Sequence, residues 1–234
     1  MKKFTVLLAV ILFSGFLLIG FKLAARVFSL PHASQTETTL PSPEPLEQSN
    51  FLLFQVNDLQ IKNPQLIAIW VNLKSTSPSS ELYFVSLYPT TSLEKNEQLK
   101  SVFSLTRDDQ LTASSFRRFK RIFDIAFDGY FVIDNSGLLS LASNASVEQL
   151  ELISDSPQSL ESVAIVQKSG KVFLSKICDL LTSSAGNSFF SQIDWTTLLP
   201  SHFISSKTFV DLQGLMDEEN LSSEHKTCNV IIPE

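Results

Sequence analysis

The sequence predicts an α/β fold, a three-layer α-β-α domain around a central mixed sheet, preceded by one transmembrane helix. Three observations carry that prediction. Four short runs rich in Val, Ile, Leu, Phe and Tyr are apolar at nearly every position, as strands covered on both faces are. Helical patterns with one apolar face alternate with those runs. The chain opens with Lys2 and Lys3, then eighteen uncharged residues, Phe4–Phe21.

As a helix, Phe4–Phe21 is about 27 Å long, close to the hydrocarbon thickness of a bilayer. A cleaved signal peptide has a shorter apolar run and a small-x-small site. The nearest candidate here, "KLAA", puts Lys22 or Leu23 at the outer position. Residues 1–30 are therefore expected to form an uncleaved membrane anchor with short flanks. Lys2 and Lys3 place its start inside, although Lys22 and Arg26 follow the span. The rest of the chain then lies outside the cytoplasm. Residues 31–49, "PHASQTETTLPSPEPLEQS", hold four prolines and almost no large apolar side chain. They cannot bury a core and read as an extended spacer.

Residues 50–234 suit one domain, large enough to fold around its own core. Strands are expected at Phe51–Val56, Leu66–Asn72, Leu82–Tyr88 and Gly129–Asp134. The turn chemistry of "KSTSPSS" (Lys74–Ser80) makes the second and third antiparallel neighbours. Three helices are expected. Ser114–Ile125 puts Phe116, Phe119, Ile122 and Phe123 on one face, with Ser115 as N-cap. Ser169–Leu181 aligns Val172, Phe173, Ile177, Leu180 and Leu181, and Ser206–Glu219 is a short third candidate. "KTCNVIIPE" fits a closing strand.

Charge and composition exclude some functions. A net charge of −6 argues against a nucleic-acid partner, because phosphate contacts need a basic surface. The basic cluster is Arg117, Arg118, Lys120 and Arg121, opposite the Phe stripe. It reads either as a solvated face or as an anion or headgroup site. Nineteen Phe form either a Phe-rich core or, in part, a groove for a lipid tail. His32, His202 and His225 lack metal-ligand spacing, and Ser without a partnered His supports no nucleophile. Asp124, Asp128 and Asp134 flank one strand and are either ordinary edge residues or cation ligands. Outside the cytoplasm Cys178 and Cys228 could pair, closing a loop worth about 4 kcal/mol, or stand as two buried thiols.

The quoted strands carry a resemblance. "NFLLFQVN" (Asn50–Asn57) is similar to N-I-L-L-L-G-V-D, "VSLYPT" (Val85–Thr90) to V-S-I-P-R-D, and "FDGYFVID" (Phe127–Asp134) to I-D-Y-Y-V-V-V-D. Together with the anchor, the spacer and the closing "NVIIP", this order resembles the LytR–CpsA–Psr (LCP) family. The resemblance implies a membrane-anchored extracytoplasmic domain that moves glycopolymer from a polyprenyl-pyrophosphate carrier to the cell wall.

The departures fall on charged positions. Asn57 stands where the family has Asp, with Asp58 one residue late and so on the other strand face. Pro89 and Thr90 replace Arg-Asp, and Ala145-Ser146 replaces Gly-Gly. Where the family has an arginine-rich stretch, this chain has "VAIVQKSGK" (Val163–Lys171), with only Lys168 and Lys171 as stand-ins. Diphosphate transfer needs guanidinium clamps and hard oxygen ligands for a divalent metal. The expectation is therefore a degenerate LCP-like domain without cofactor, binding polyprenyl lipid or anionic cell-wall polymer. Arg117, Arg118, Arg121, Asn57 and Asp58 are its candidate binding residues. Two alternatives stay open: a divergent transferase using Mg, and a cell-surface interaction module.

Overall fold

Strand β1 (Gln48–Val56) runs through a six-stranded sheet because every second side chain, Leu52, Phe54 and Val56, is fully buried. Its neighbours are β2 (Leu66–Ser75), antiparallel, and β4 (Gly129–Asp134), parallel. The order is β5-β4-β1-β2-β3-β6, with β3 (Glu81–Tyr88), β5 (Phe203–Ser205) and β6 (Thr227–Ile231) completing it. β1, β3, β4 and β6 point one way, while β2 and β5 oppose them. The expected mixed sheet and the antiparallel β2–β3 pair are both present. This computed structural model describes residues 48–75, 81–183, 189, 192–208 and 227–233. The expected anchor and all but the last two residues of the spacer lie outside them. Among the described residues no helix is long and apolar enough to cross a membrane.

Strand alternation sends β2 side chains to two cores. Ile69 and Val71 pack with Phe54, Leu99 and Phe119, under α1 (Leu93–Val102) and α2 (Ala113–Phe123). Ala68 and Trp70 pack with Leu138, Val166 and Phe173, under α3 (Asn135–Asn144) and α4 (Leu160–Thr182). Helices thus cover both sheet faces. A short α5 (Trp195–Leu198) precedes β5. Trp70 fits against α4 because residue 170 is glycine: a Cβ there would meet the indole Cζ2 at 2.5 Å. Phenylalanines pack on each other, as in Phe54–Phe119 and Phe51–Phe131, with ring centroids 5.2 and 5.3 Å apart.

Three helix expectations need correction. Thr112, not Ser115, caps α2: the Ser115 N–H donates to Thr112 Oγ1, so Ser115 already sits in the first turn. Helix α4 begins at Leu160, nine residues before the expected Ser169. Ser159 and Ser162 form a reciprocal cap there, and Val163 and Val166 extend the apolar stripe backwards. Lys168 and Lys171 therefore ride exposed on a helix. Ser206–Thr208 is not helical, and the remainder of that third candidate falls outside the described residues. Helices α1 and α3 had escaped notice. The first carries few apolar residues, and the second opens on Asn-Ser-Gly, which reads as a turn.

Candidate functional site

The carboxyl ends of β1, β3 and β4 share one sheet edge, where open α/β sheets place their ligands. Carboxamides close that edge. Asn57 Nδ2 donates to the Ser154 carbonyl at 3.0 Å, while its Oδ1 accepts the N–H groups of Asp58 and Gln65 at 2.9 and 2.8 Å. Asn135 Nδ2 donates to Ile153 O at 2.8 Å, and its Oδ1 accepts from Gln55 Nε2 at 2.9 Å. Gln65 Oε1 accepts from the Ser156 N–H, and Gln167 Nε2 donates to Pro89 O. Thr90 is held by Asn96, which accepts its N–H and donates to its carbonyl, both at 2.7 Å. An amide both donates and accepts, so it can bond irregular backbone on two sides. A carboxylate only accepts. The segment 153–156 lies against the strand ends because these side chains are amides.

The acids nearby accept from both backbone and side chains, and Asp155 Oδ2 takes the Ser154 hydroxyl at 3.2 Å. Asp58 Oδ1 accepts the Gln60 N–H at 2.8 Å, closing a local turn. Asp134 is fully buried and accepts three bonds: Gly137 N–H at 2.8 Å, Leu59 N–H at 3.2 Å, and His202 Nδ1 at 2.8 Å. It caps α3 and ties the loop after β1 to the residue before β5. Sequence reading left His202 without a partner, and no spacing rule links residues 68 apart. Asp128, at the other end of β4, lies about 20 Å from Asp134. It accepts the Asn50 N–H at 2.8 Å. Asp124 ends α2 in a left-handed conformation. The three aspartates do not converge on one cation. A divalent metal at the strand ends would need free carboxylate oxygens. Among the described residues no group of three or more His, Cys, Asp or Glu side chains is placed to hold a metal ion.

Arg117, Arg118 and Arg121 are exposed on α2, and Lys120 lies 4.9 Å over the Phe116 ring. Arg117 Nε donates to Ala113 O at 3.2 Å. No hydrogen bond or ion pair joins the three arginines to Asn57 or Asp58 among the described residues. Cys178 of α4 is disulfide-bonded to Cys228 of β6, with Cα atoms 5.3 Å apart. A cleft of about 560 Å³ opens beside β5, lined in part by Gln60, Asp108, Asp109, Ser201, Phe203 and Lys207.

No family model matches the sequence, and no curated protein matches it. Solved structures do resemble it. TagV of B. subtilis shares 9% identity, with a TM-score of 0.50, over 81% of this chain and 85% of that one. Protein gbs0355 of Streptococcus agalactiae shares 10%, with a TM-score of 0.42, over 79% and 77%. TagT bound to LI-WTA shares 9%, with a TM-score of 0.41, over 84% and 82%. TagV is an LCP-family enzyme, so its likeness shows an LCP-like fold here; at this identity it shows the fold alone.

Proposed function

We propose that this chain is a membrane-anchored, extracytoplasmic LCP-like domain in cell-envelope glycopolymer assembly or attachment. It is catalytically degenerate and acts by binding polyprenyl lipid or an anionic envelope polymer. The fold supports the envelope role, and the Cys178–Cys228 bond supports an oxidising compartment. One observation carries the degenerate half: the side chain of Asn57 bonds backbone through both of its ends at the position where the resemblance places a carboxylate. Transferring a diphosphate-linked polymer needs clustered guanidiniums and acid oxygens. The alternative, a divergent transferase built on Asp58 and the α2 arginines with Mg, draws no support from their contacts.

The test incubates the purified full-length chain with a polyprenyl-pyrophosphate-linked glycopolymer, wall acceptor and Mg²⁺. The lipid-linked polymer is expected to bind and stay intact. Release of polyprenyl phosphate above a protein-free control would overturn degeneracy. Absence of any binding would leave only the interaction-module alternative.

A further inference from the structure

We propose that the α3–α4 face of the domain is the contact surface for a second copy of this chain, related by a two-fold axis. Neither lipid nor glycopolymer enters this contact, which goes beyond the envelope reading above.

The first observation is an apolar centre. Among the described residues six large apolar side chains are exposed, and three of them, Leu139, Leu160 and Val172, lie on α3 and α4. Leu139 and Val172 are 49% and 44% exposed and line one groove of about 740 Å³. The groove is bounded by α3, by the loop 146–151 and by α4, and it continues along α4 as far as Asp179. Hydrogen bonds hold it open. Ser169 Oγ donates to the Glu151 carbonyl at 2.7 Å, joining α4 to the loop, and the Val147 N–H donates to Ala142 O at 2.9 Å, joining the loop to α3. A preformed apolar groove loses little conformational entropy when it is covered, and releasing its water is favourable.

The second observation is how charge is divided along that groove. The loop contributes two acids, Glu148 and Glu151. Helix α4 contributes three lysines, Lys168, Lys171 and Lys176, against one acid, Asp179. Glu148, Glu151, Lys168 and Lys171 are all exposed, and among the described residues none of these charged groups is in an ion pair. One rim is therefore negative and the other net positive. A partner surface of a single sign is drawn to one rim and repelled by the other, which disfavours an anionic bilayer or polymer here. The matching surface is positive opposite the loop and negative opposite α4. This same face supplies it when turned through half a revolution about an axis running between the loop and α4. In such a contact residue i meets j and j meets i, so each favourable pair forms twice. The apolar side chains of the groove are covered in the same contact.

The experiment measures the mass of the purified full-length chain in detergent by analytical ultracentrifugation, from about 1 to about 100 µM. Expected is a reversible dimer. Lys168→Glu with Lys171→Glu makes both rims negative, and Glu148→Lys with Glu151→Lys makes both positive. Each of these variants alone should dimerise at least ~10-fold more weakly. Mixed in equal amounts, the two should dimerise again, because every rim then faces its opposite. Unchanged melting profiles show that both fold. Should either fail to, Leu139→Asp, at an exposed position, is expected to be monomeric and serves in its place. A wild-type chain that stays monomeric at about 100 µM overturns the proposal. A dimer that survives both rim reversals or Leu139→Asp also overturns it, because association then lies elsewhere on the chain. So does a mixture of the two reversed variants that remains monomeric.

Discussion

Asn57 reaches across 97 residues of chain to donate to the carbonyl of Ser154. That bond fastens the segment before α4 over the end of β1. Asn57→Asp keeps the two accepted N–H bonds but sets a carboxylate oxygen against a carbonyl. The bond is solvent-exposed, so the cost is about 1 kcal/mol. Urea unfolding should show a lower midpoint at unchanged slope, with no transferase activity gained. An unchanged midpoint would mean that the amide lattice does not hold the segment.

Asp134 is a stronger case because it is buried and accepts from three donors. Asp134→Asn turns one acceptor into an amide donor facing N–H groups. Expected is a loss of about 3 kcal/mol, seen in urea melts, together with a shifted His202 imidazole resonance. If His202 keeps its resonance, the link from β4 to the residue before β5 is weaker than its geometry implies.

Tyr88 is completely buried, and its hydroxyl has no partner in hydrogen-bonding geometry among the described residues, although the Ser156 hydroxyl, which donates to Leu66 O, lies beside it. Burial pushes the phenol well above its ordinary value. The unfolded chain therefore loses this proton first. Stability is intact below about pH 10 and falls as pH rises beyond it, because the unfolded state then binds fewer protons. Tyr88→Phe removes the orphaned hydroxyl, so it should be neutral or stabilise by up to about 1 kcal/mol at pH 7, and it should flatten the alkaline decline. Denaturant melts at pH 7 and pH 10.5 check both; a variant less stable at pH 7 would contradict the orphan assignment.

The Cys178–Cys228 bond ties edge strand β6 to α4 across 50 residues. Loop closure of that length is worth about 4 kcal/mol in the chain-entropy model. The denatured, unreduced protein should show no free thiol, and reductant or Cys228→Ser should lower the unfolding midpoint. Two titratable thiols in the unreduced protein would refute the pairing.

The strands were legible because a two-sided core writes itself as continuous apolar runs, and the four expected strands match β1 to β4 closely. Helix α2 was legible from its one-sided Phe stripe. Ser146, at a position where the resemblance implies glycine, has φ 57°, a conformation that favours glycine. Helices α1 and α3 and the early start of α4 were not legible, since short polar helices and turn-like openings leave weak periodicity.

Read alone, the chain established which residues stand at the strand ends, because a residue's identity is local. It left open what those side chains bond. That answer depends on partners 80 to 97 residues away, Gln55 with Asn135 and Asn57 with Ser154, and on an Asp134–His202 pair that no spacing announces. Hydrogen bonds form between groups that folding brings together, so the partners of these side chains were fixed only when the chain closed on itself.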